Sequence, residues 1–93
     1  MYKVNFYATL RDIVGRKTVE VAAPDGMTVQ ALVERLVDMH PPLRDALLDA
    51  ERHFLPHMKL FVNGREVVYM EKGFETPLQP DDKVDIFPPV GGG

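Results

Sequence analysis

Residues 27–42 read MTVQALVERLVDMHPP, a helix with its start and stop both written into the chain. Val29, Leu32, Val33, Leu36 and Val37 fall at i, i+3, i+4, i+7 and i+8, one apolar stripe of a 3.6-residue period. Gln30, Glu34, Arg35 and Asp38 take the opposite face. Thr28 is a good N-cap, and Met27 before it is placed to staple onto the first turn. The first proline of His40-Pro41-Pro42 disfavours helical geometry at His40 and closes the segment. A helix with one apolar stripe must cover another apolar surface, and the flanking sequence supplies strands for it.

Upstream, Tyr2 to Ala8 alternates. Tyr2, Val4, Phe6 and Ala8 point one way, and Lys3, Asn5 and Tyr7 the other, the two-residue period of a strand with one buried face. A short connection through Arg11, Asp12 and Gly15 leads to a second run, where Val19 and Val21 oppose Thr18 and Glu20; the two strands form a hairpin. Pro24-Asp25-Gly26 is a turn into the helix. Downstream, Pro42 to Ala50 reads as a shorter helix with Leu43, Ala46 and Leu47 on one side. Met58, Leu60 and Val62 then alternate with Lys59 and Phe61. Asn63-Gly64 follows, the strongest two-residue hairpin signal, since both positions take positive φ. Arg65 to Met70 returns as a strand, Gly73 to Asp82 is a loop, and Lys83 to Phe87 is a last strand with Val84 and Ile86 inward.

The order strand, strand, helix, strand, strand, strand predicts an α+β protein. It is a mixed sheet of about five strands with one main helix on one face. With the first and last strands parallel and adjacent, this is a β-grasp, or ubiquitin-like, fold. A ferredoxin-like fold is the alternative, but it requires a second long helix where Gly73, Pro77 and Pro80 stand. The domain is expected to span residues 1–90, with 91–93 a flexible glycine tail.

Composition narrows the function. At 93 residues and 45% apolar, the chain has the size and character of one globular domain. The net charge of −3 is mild and mixed in sign, which argues against nucleic acid as the main partner, because phosphate neutralisation wants a clustered basic face. There is no cysteine, hence no disulfide, thiol nucleophile or thiolate metal site. No apolar run approaches the ~20 residues that cross a bilayer, and the start carries no signal-peptide pattern. The expectation is a soluble cytoplasmic domain with no membrane partner.

No cluster of side chains carries chemistry. His53 and His57 stand at helical i, i+4 spacing, but Pro56 lies between them and no further ligand completes a set, so no metal site is expected. Asp81-Asp82 reads as turn chemistry rather than an acid–base pair. No glycine-rich phosphate loop precedes a helix, so no cofactor is expected and ATP would be bound elsewhere. What remains is the end of the chain, Phe87-Pro88-Pro89-Val90-Gly91-Gly92-Gly93. Pro88 and Pro89 lack amide hydrogens and favour a stiff, extended exit from the last strand. The glycines have no Cβ, so a narrow channel can hold them where any other residue would clash. Read alone, three glycines are equally a linker.

Several segments carry a family likeness: Leu10 to Gly15, the Thr28 helix, Phe61-Val62-Asn63-Gly64-Arg65, and Asp82 to Gly93. With them the chain resembles the ubiquitin-like sulfur carriers (the MoaD and ThiS-like group). The likeness is closest to molybdopterin synthase small subunits and their archaeal-type relatives; thiamine-pathway carriers are shorter and lack the Leu43 to Pro56 insertion. The resemblance implies a carrier subunit with no catalytic side chain of its own, working in molybdenum cofactor biosynthesis. A partner E1-like adenylating enzyme would use ATP to activate the Gly93 carboxylate. Sulfur would displace AMP to leave a Gly93 thiocarboxylate. The tail of Pro88, Pro89, Val90, Gly91 and Gly92 would then enter the molybdopterin synthase large subunit to donate that sulfur. Two other functions share this fold, tail and activation step: a protein modifier joined through Gly93 to lysines of targets, and a sulfur carrier for tRNA thiolation or thiamine biosynthesis.

Strand alternation adds one more expectation. With Val84 and Ile86 against the helix, Phe87 faces outward, as do Phe61 and Tyr7. The three rings would form an apolar partner-binding patch beside the tail exit, unless the Leu43 to Pro56 insertion folds over them.

Overall fold

The computed structural model describes residues 1–89. In chain order the elements are β1 (Tyr2–Phe6), α1 (Thr9–Val14), β2 (Thr18–Val21), α2 (Val29–Met39), α3 (Leu43–Leu47), β3 (Lys59–Val62), β4 (Arg65–Glu66) and β5 (Lys83–Phe87), with short 3₁₀ turns at Val67–Tyr69 and Gly73–Glu75. The strands form one sheet in the order β2-β1-β5-β3-β4. β1 and β5 run parallel, with Val4 opposite Val84 and Phe6 opposite Ile86; the other pairings are antiparallel. This is the β-grasp arrangement.

The helix stripe packs as its spacing requires. Val29, Leu32, Val33, Leu36 and Val37 are all buried, together with Tyr2, Val4, Phe6, Leu60, Val84 and Ile86 from the sheet. Thr28 caps α2, its Oγ1 accepting from the Ala31 amide at 3.1 Å. Asn63 and Gly64 turn the β3–β4 hairpin at φ 52° and 84°, both in the region that asparagine and glycine tolerate. Tyr2 is a core residue with a polar tip, and its hydroxyl donates to the Pro24 and Leu78 carbonyls at 3.1 and 3.3 Å. That bond ties the long 71–82 loop to the start of α2, where the Val29 amide also donates to the Thr76 carbonyl.

Three local readings need correction. The first strand ends at Phe6, not Ala8. Ala8 sits at φ 53° and is exposed, turning the chain so that Leu10, 1% exposed, takes the next core position. What reads as a plain connection through Arg11 and Asp12 is α1, closed by Gly15 in the left-handed region at φ 89° with its amide on the Arg11 carbonyl. A six-residue helix is too short to display a period. Finally, the strand expected over Arg65 to Met70 lasts two residues. Val67 then dips into the core at 1% exposed while Val68 and Tyr69 swing out at 58% and 81%, so its alternation belongs to a 3₁₀ turn at an open sheet edge.

The insertion packs on the helix side. Arg52 Nε bonds Glu34 of α2 at 3.0 Å, its carbonyl accepts from Gln30, and Phe54 meets Phe74 with centroids 5.0 Å apart. Leu43 and Leu47 join the core. The opposite sheet face is left to its own side chains. Among the described residues, no helix is long and apolar enough to cross a membrane.

Candidate functional site

The sheet register assembles the outer face. Because Phe6 lies opposite Ile86 in the parallel pair, the next residues, Tyr7 and Phe87, come side by side on the far side from α2. Because Lys59 lies opposite Phe87 and Phe61 opposite Asp85, the Phe61 ring lies one diagonal step from Phe87. The rings meet accordingly. Tyr7 and Phe87 stack with centroids 4.2 Å apart and planes at 8°, and Phe61 meets Phe87 edge-on at 5.5 Å and 87°. All three are half-buried. The Lys17 ammonium sits 5.4 Å from the Tyr7 ring centroid, within cation–π range.

By the two-residue period of β5, Asp85 shares this face with Lys83 and Phe87. The structure buries it to 7% exposure, because the outward direction at that row is roofed by neighbouring side chains. Its Oδ1 accepts from the Tyr7 hydroxyl at 2.7 Å and from the Asn5 amide at 3.0 Å, and Lys83 Nζ lies 3.9 Å from Oδ2. Thr18 extends the chain, donating to Asn5 Oδ1 at 2.7 Å. The hydrogen bond to Asp85, then burial, then the charge of that carboxylate push the Tyr7 hydroxyl above the ordinary tyrosine range. Sequence reasoning missed this network. Its one signal was an acidic residue at the centre of a strand that pairs on both edges.

Beside the rings, Lys59, Phe61, Gly64, Glu66, Asp85 and Phe87 line a shallow, mostly apolar groove of about 450 Å³. A larger groove of about 580 Å³ lies at the other end of the same face, lined by Lys3, Asn5, Thr18, Glu20, Asp82 and Lys83. Its walls carry the charges of Lys3, Glu20, Asp82 and Lys83, and it lies away from the strand's exit. At that exit Phe87 leads directly into Pro88, half-buried, and Pro89, exposed. Val90, Gly91, Gly92 and Gly93 lie outside the described residues.

Elsewhere, Asp49, Glu51 and His53 bring potential ligand atoms within 4.8 Å of one another. Asp49 Oδ1 already accepts from the Glu51 and His53 amides at 2.9 and 2.8 Å, which makes this grouping a turn. Asp82 is likewise committed to turns, accepting from Asn63 Nδ2 and the Gln79 amide.

Comparison with known proteins bears on the chain as a whole. The ThiS family profile matches residues 4–93. The chain is 35% identical over 91 residues to small archaeal modifier protein 3 of Haloferax volcanii, covering 98% of this chain and 97% of that one. It is 36% identical over 93 residues to the molybdopterin synthase sulfur carrier subunit of Escherichia coli, covering 100% of both. Among solved structures, SAMP1 from Haloferax volcanii superposes with a TM-score of 0.88 at 25% identity, over 99% of this chain and 98% of that one. A chain of the Amycolatopsis orientalis BexX/CysO complex superposes with a TM-score of 0.82 at 26% identity, over 100% of both.

Proposed function

The chain belongs to the ThiS family of ubiquitin-like sulfur carriers and modifiers, and from that premise we propose that it carries sulfur on Gly93 as the sulfur-donating small subunit of molybdopterin synthase. The observation that supports this most is the joining of tail and platform. The central strand ends at Phe87 inside a cluster of half-exposed rings, and the chain leaves that cluster through Pro88 and Pro89. A partner that grips the rings therefore receives the tail at a defined point.

In this reading an E1-like adenylating enzyme docks on Phe87, Phe61 and Tyr7 and takes the glycines into a narrow channel. The Gly93 carboxylate attacks the α-phosphate of ATP, releasing pyrophosphate and leaving an acyl-adenylate. A sulfur nucleophile then displaces AMP, giving the thiocarboxylate. The chain contributes no acid, base or metal to these steps. It contributes reach, shape and a docking face, and burial of the tail in the partner keeps water from the activated carbonyl. The molybdopterin synthase large subunit then takes the same tail and receives the sulfur. The likeness to small archaeal modifier protein 3 favours a second reading, conjugation of the Gly93 carbonyl to lysines of target proteins.

The test is mass spectrometry of the protein recovered from cells with its own pathway intact. A form in which sulfur replaces one oxygen at Gly93 is expected, and deleting Gly93 or extending the chain beyond it abolishes that form. Sulfur transfer that persists after deletion overturns the proposal. Glycine remnants on the lysines of other proteins, without any thiocarboxylate, move the assignment to the modifier.

A further inference from the structure

Asp85 is the one charged residue buried among the described residues, and it lies beneath the docking rings, not in the main core. A buried carboxylate is costly unless donors surround it, and a buried charged group together with its partners is often no more stabilising than well-packed apolar residues in their places. Stability alone therefore does not account for it. Its contacts suggest a different use. The hydrogen bonds from Thr18 to Asn5, Asn5 to Asp85 and Tyr7 to Asp85 cross β2, β1 and β5 and end on the Tyr7 hydroxyl. Tyr7 stands just past the end of β1, where no strand pairing restrains its side chain. With its hydroxyl held on Asp85 at 2.7 Å and its face against Phe87 at 4.2 Å, the ring has one place to lie. Phe87 is then wedged between Tyr7 and Phe61. Beyond it, Pro88 and Pro89 have no amide hydrogens with which a sheet ladder could steer the chain.

We infer that Asp85 is a positioning residue of the carrier, which by anchoring Tyr7 fixes the Phe87 ring and, with it, the direction in which the tail leaves the domain. This rests on the tail reading above and adds to it a determinant of docking. Asp85 touches none of the reacting atoms. It acts by presenting a docking face already ordered, which lowers the cost of ordering it on binding. Its effect belongs in the affinity for the adenylating enzyme and not in the rate of the chemistry at Gly93.

The experiment uses the full chain with its native terminus. AMP-forming kinetics with the E1-like partner are measured for wild type, Asp85→Ala, Tyr7→Phe, the double variant and Asp85→Asn. Asp85→Ala is expected to raise KM for the carrier about tenfold while kcat stays within about twofold. Tyr7→Phe raises KM less, and the double variant is no worse than Asp85→Ala, because both remove the same contact. Asp85→Asn keeps a carbonyl acceptor and restores most of the loss. In parallel, nuclear Overhauser contacts between the Tyr7 and Phe87 rings are measured in the free protein. They weaken in Asp85→Ala and in Tyr7→Phe, while amide protection of β1, β3 and β5 is kept. Unchanged ring contacts in these variants, a loss confined to kcat, or additive effects in the double variant each overturn the inference. Should Asp85→Ala not fold, Tyr7→Phe decides it, since that change removes one oxygen from a half-exposed ring. Failure of the wild type to be adenylated refutes the carrier reading instead, and the ring contacts of the free protein still decide the role of Asp85.

Discussion

Replacing Phe87 with alanine separates docking from folding. The ring makes two aromatic contacts, a stack on Tyr7 and an edge contact with Phe61. Such pairs contribute about 0.5–1.5 kcal/mol each beyond area burial. Because the ring is half-exposed and outside the main core, little burial is lost besides these contacts, and Phe87→Ala is expected to cost about 1–3 kcal/mol of stability. At about 4–8 °C per kcal/mol for a domain of this size, the melting temperature falls by roughly 4–24 °C and the domain still folds. Affinity for the adenylating enzyme suffers differently. A central aromatic anchor typically carries ~2 kcal/mol or more, equal to a loss of about thirtyfold in Kd. Denaturant unfolding monitored by circular dichroism gives the first quantity. Titration of folded variant against the adenylating enzyme, below its melting temperature, gives the second. A stability loss beyond ~4 kcal/mol with affinity of the folded fraction unchanged would refute the reasoning, and would mean that Phe87 is a core residue after all.

Other consequences are simpler to state. Leu36→Ala removes three buried carbons from a fully buried position on α2 and is expected to cost ~2–5 kcal/mol, with docking unchanged in the fraction that remains folded; calorimetry and binding on one sample check both. Gly92→Val is expected to leave the melting temperature at the wild-type value and to abolish AMP formation, since even ~1 Å of misplacement at the reacting carbonyl can cost about a hundredfold; normal adenylation would make the glycines a passive linker. Tyr7 ionises above the ordinary tyrosine pKa of ~10 because its proton is held by Asp85. Its tether to Asp85 is therefore complete below that pH and is lost as pH rises through the raised value. The ultraviolet titration of wild type minus that of Tyr7→Phe isolates this step, and Asp85→Ala is expected to move it to lower pH; an unmoved step would mean that Asp85 does not hold the proton.

Most of the architecture was legible because it rests on long or unambiguous patterns. Five apolar positions at helical spacing put α2 on the sheet, and Asn63-Gly64 pinned a hairpin. The alternation of Lys83 to Phe87 was enough to gather Tyr7, Phe61 and Phe87 on one face. Each miss has a physical source. The α1 helix has fewer than two turns, so Leu10 and Val14 could not announce it. The chain around Val67 alternates like a strand although only Val67 is drawn inward, a choice made by the core and not by local propensity. Asp85 shares its side of β5 with Phe87, and nothing near it in sequence announces its burial. Side-chain direction follows from the two-residue period, but the roof over Asp85 is built from Tyr7 and Asn5, which lie about eighty residues away in sequence.

The parallel β1–β5 pairing has a consequence for when the protein can exist. The last of the described strands in sequence stands third in a row of five, joining β2-β1 on one side to β3-β4 on the other. A nascent chain that has emerged only as far as residue 80 holds two separate ribbons, each too small to be stable in water, and a helix whose apolar stripe lacks half its cover. The sheet becomes continuous only when Lys83 to Phe87 pair with both ribbons. A chain that stops short of Phe87 therefore lacks both the bridging strand and the ring on which Tyr7 and Phe61 meet.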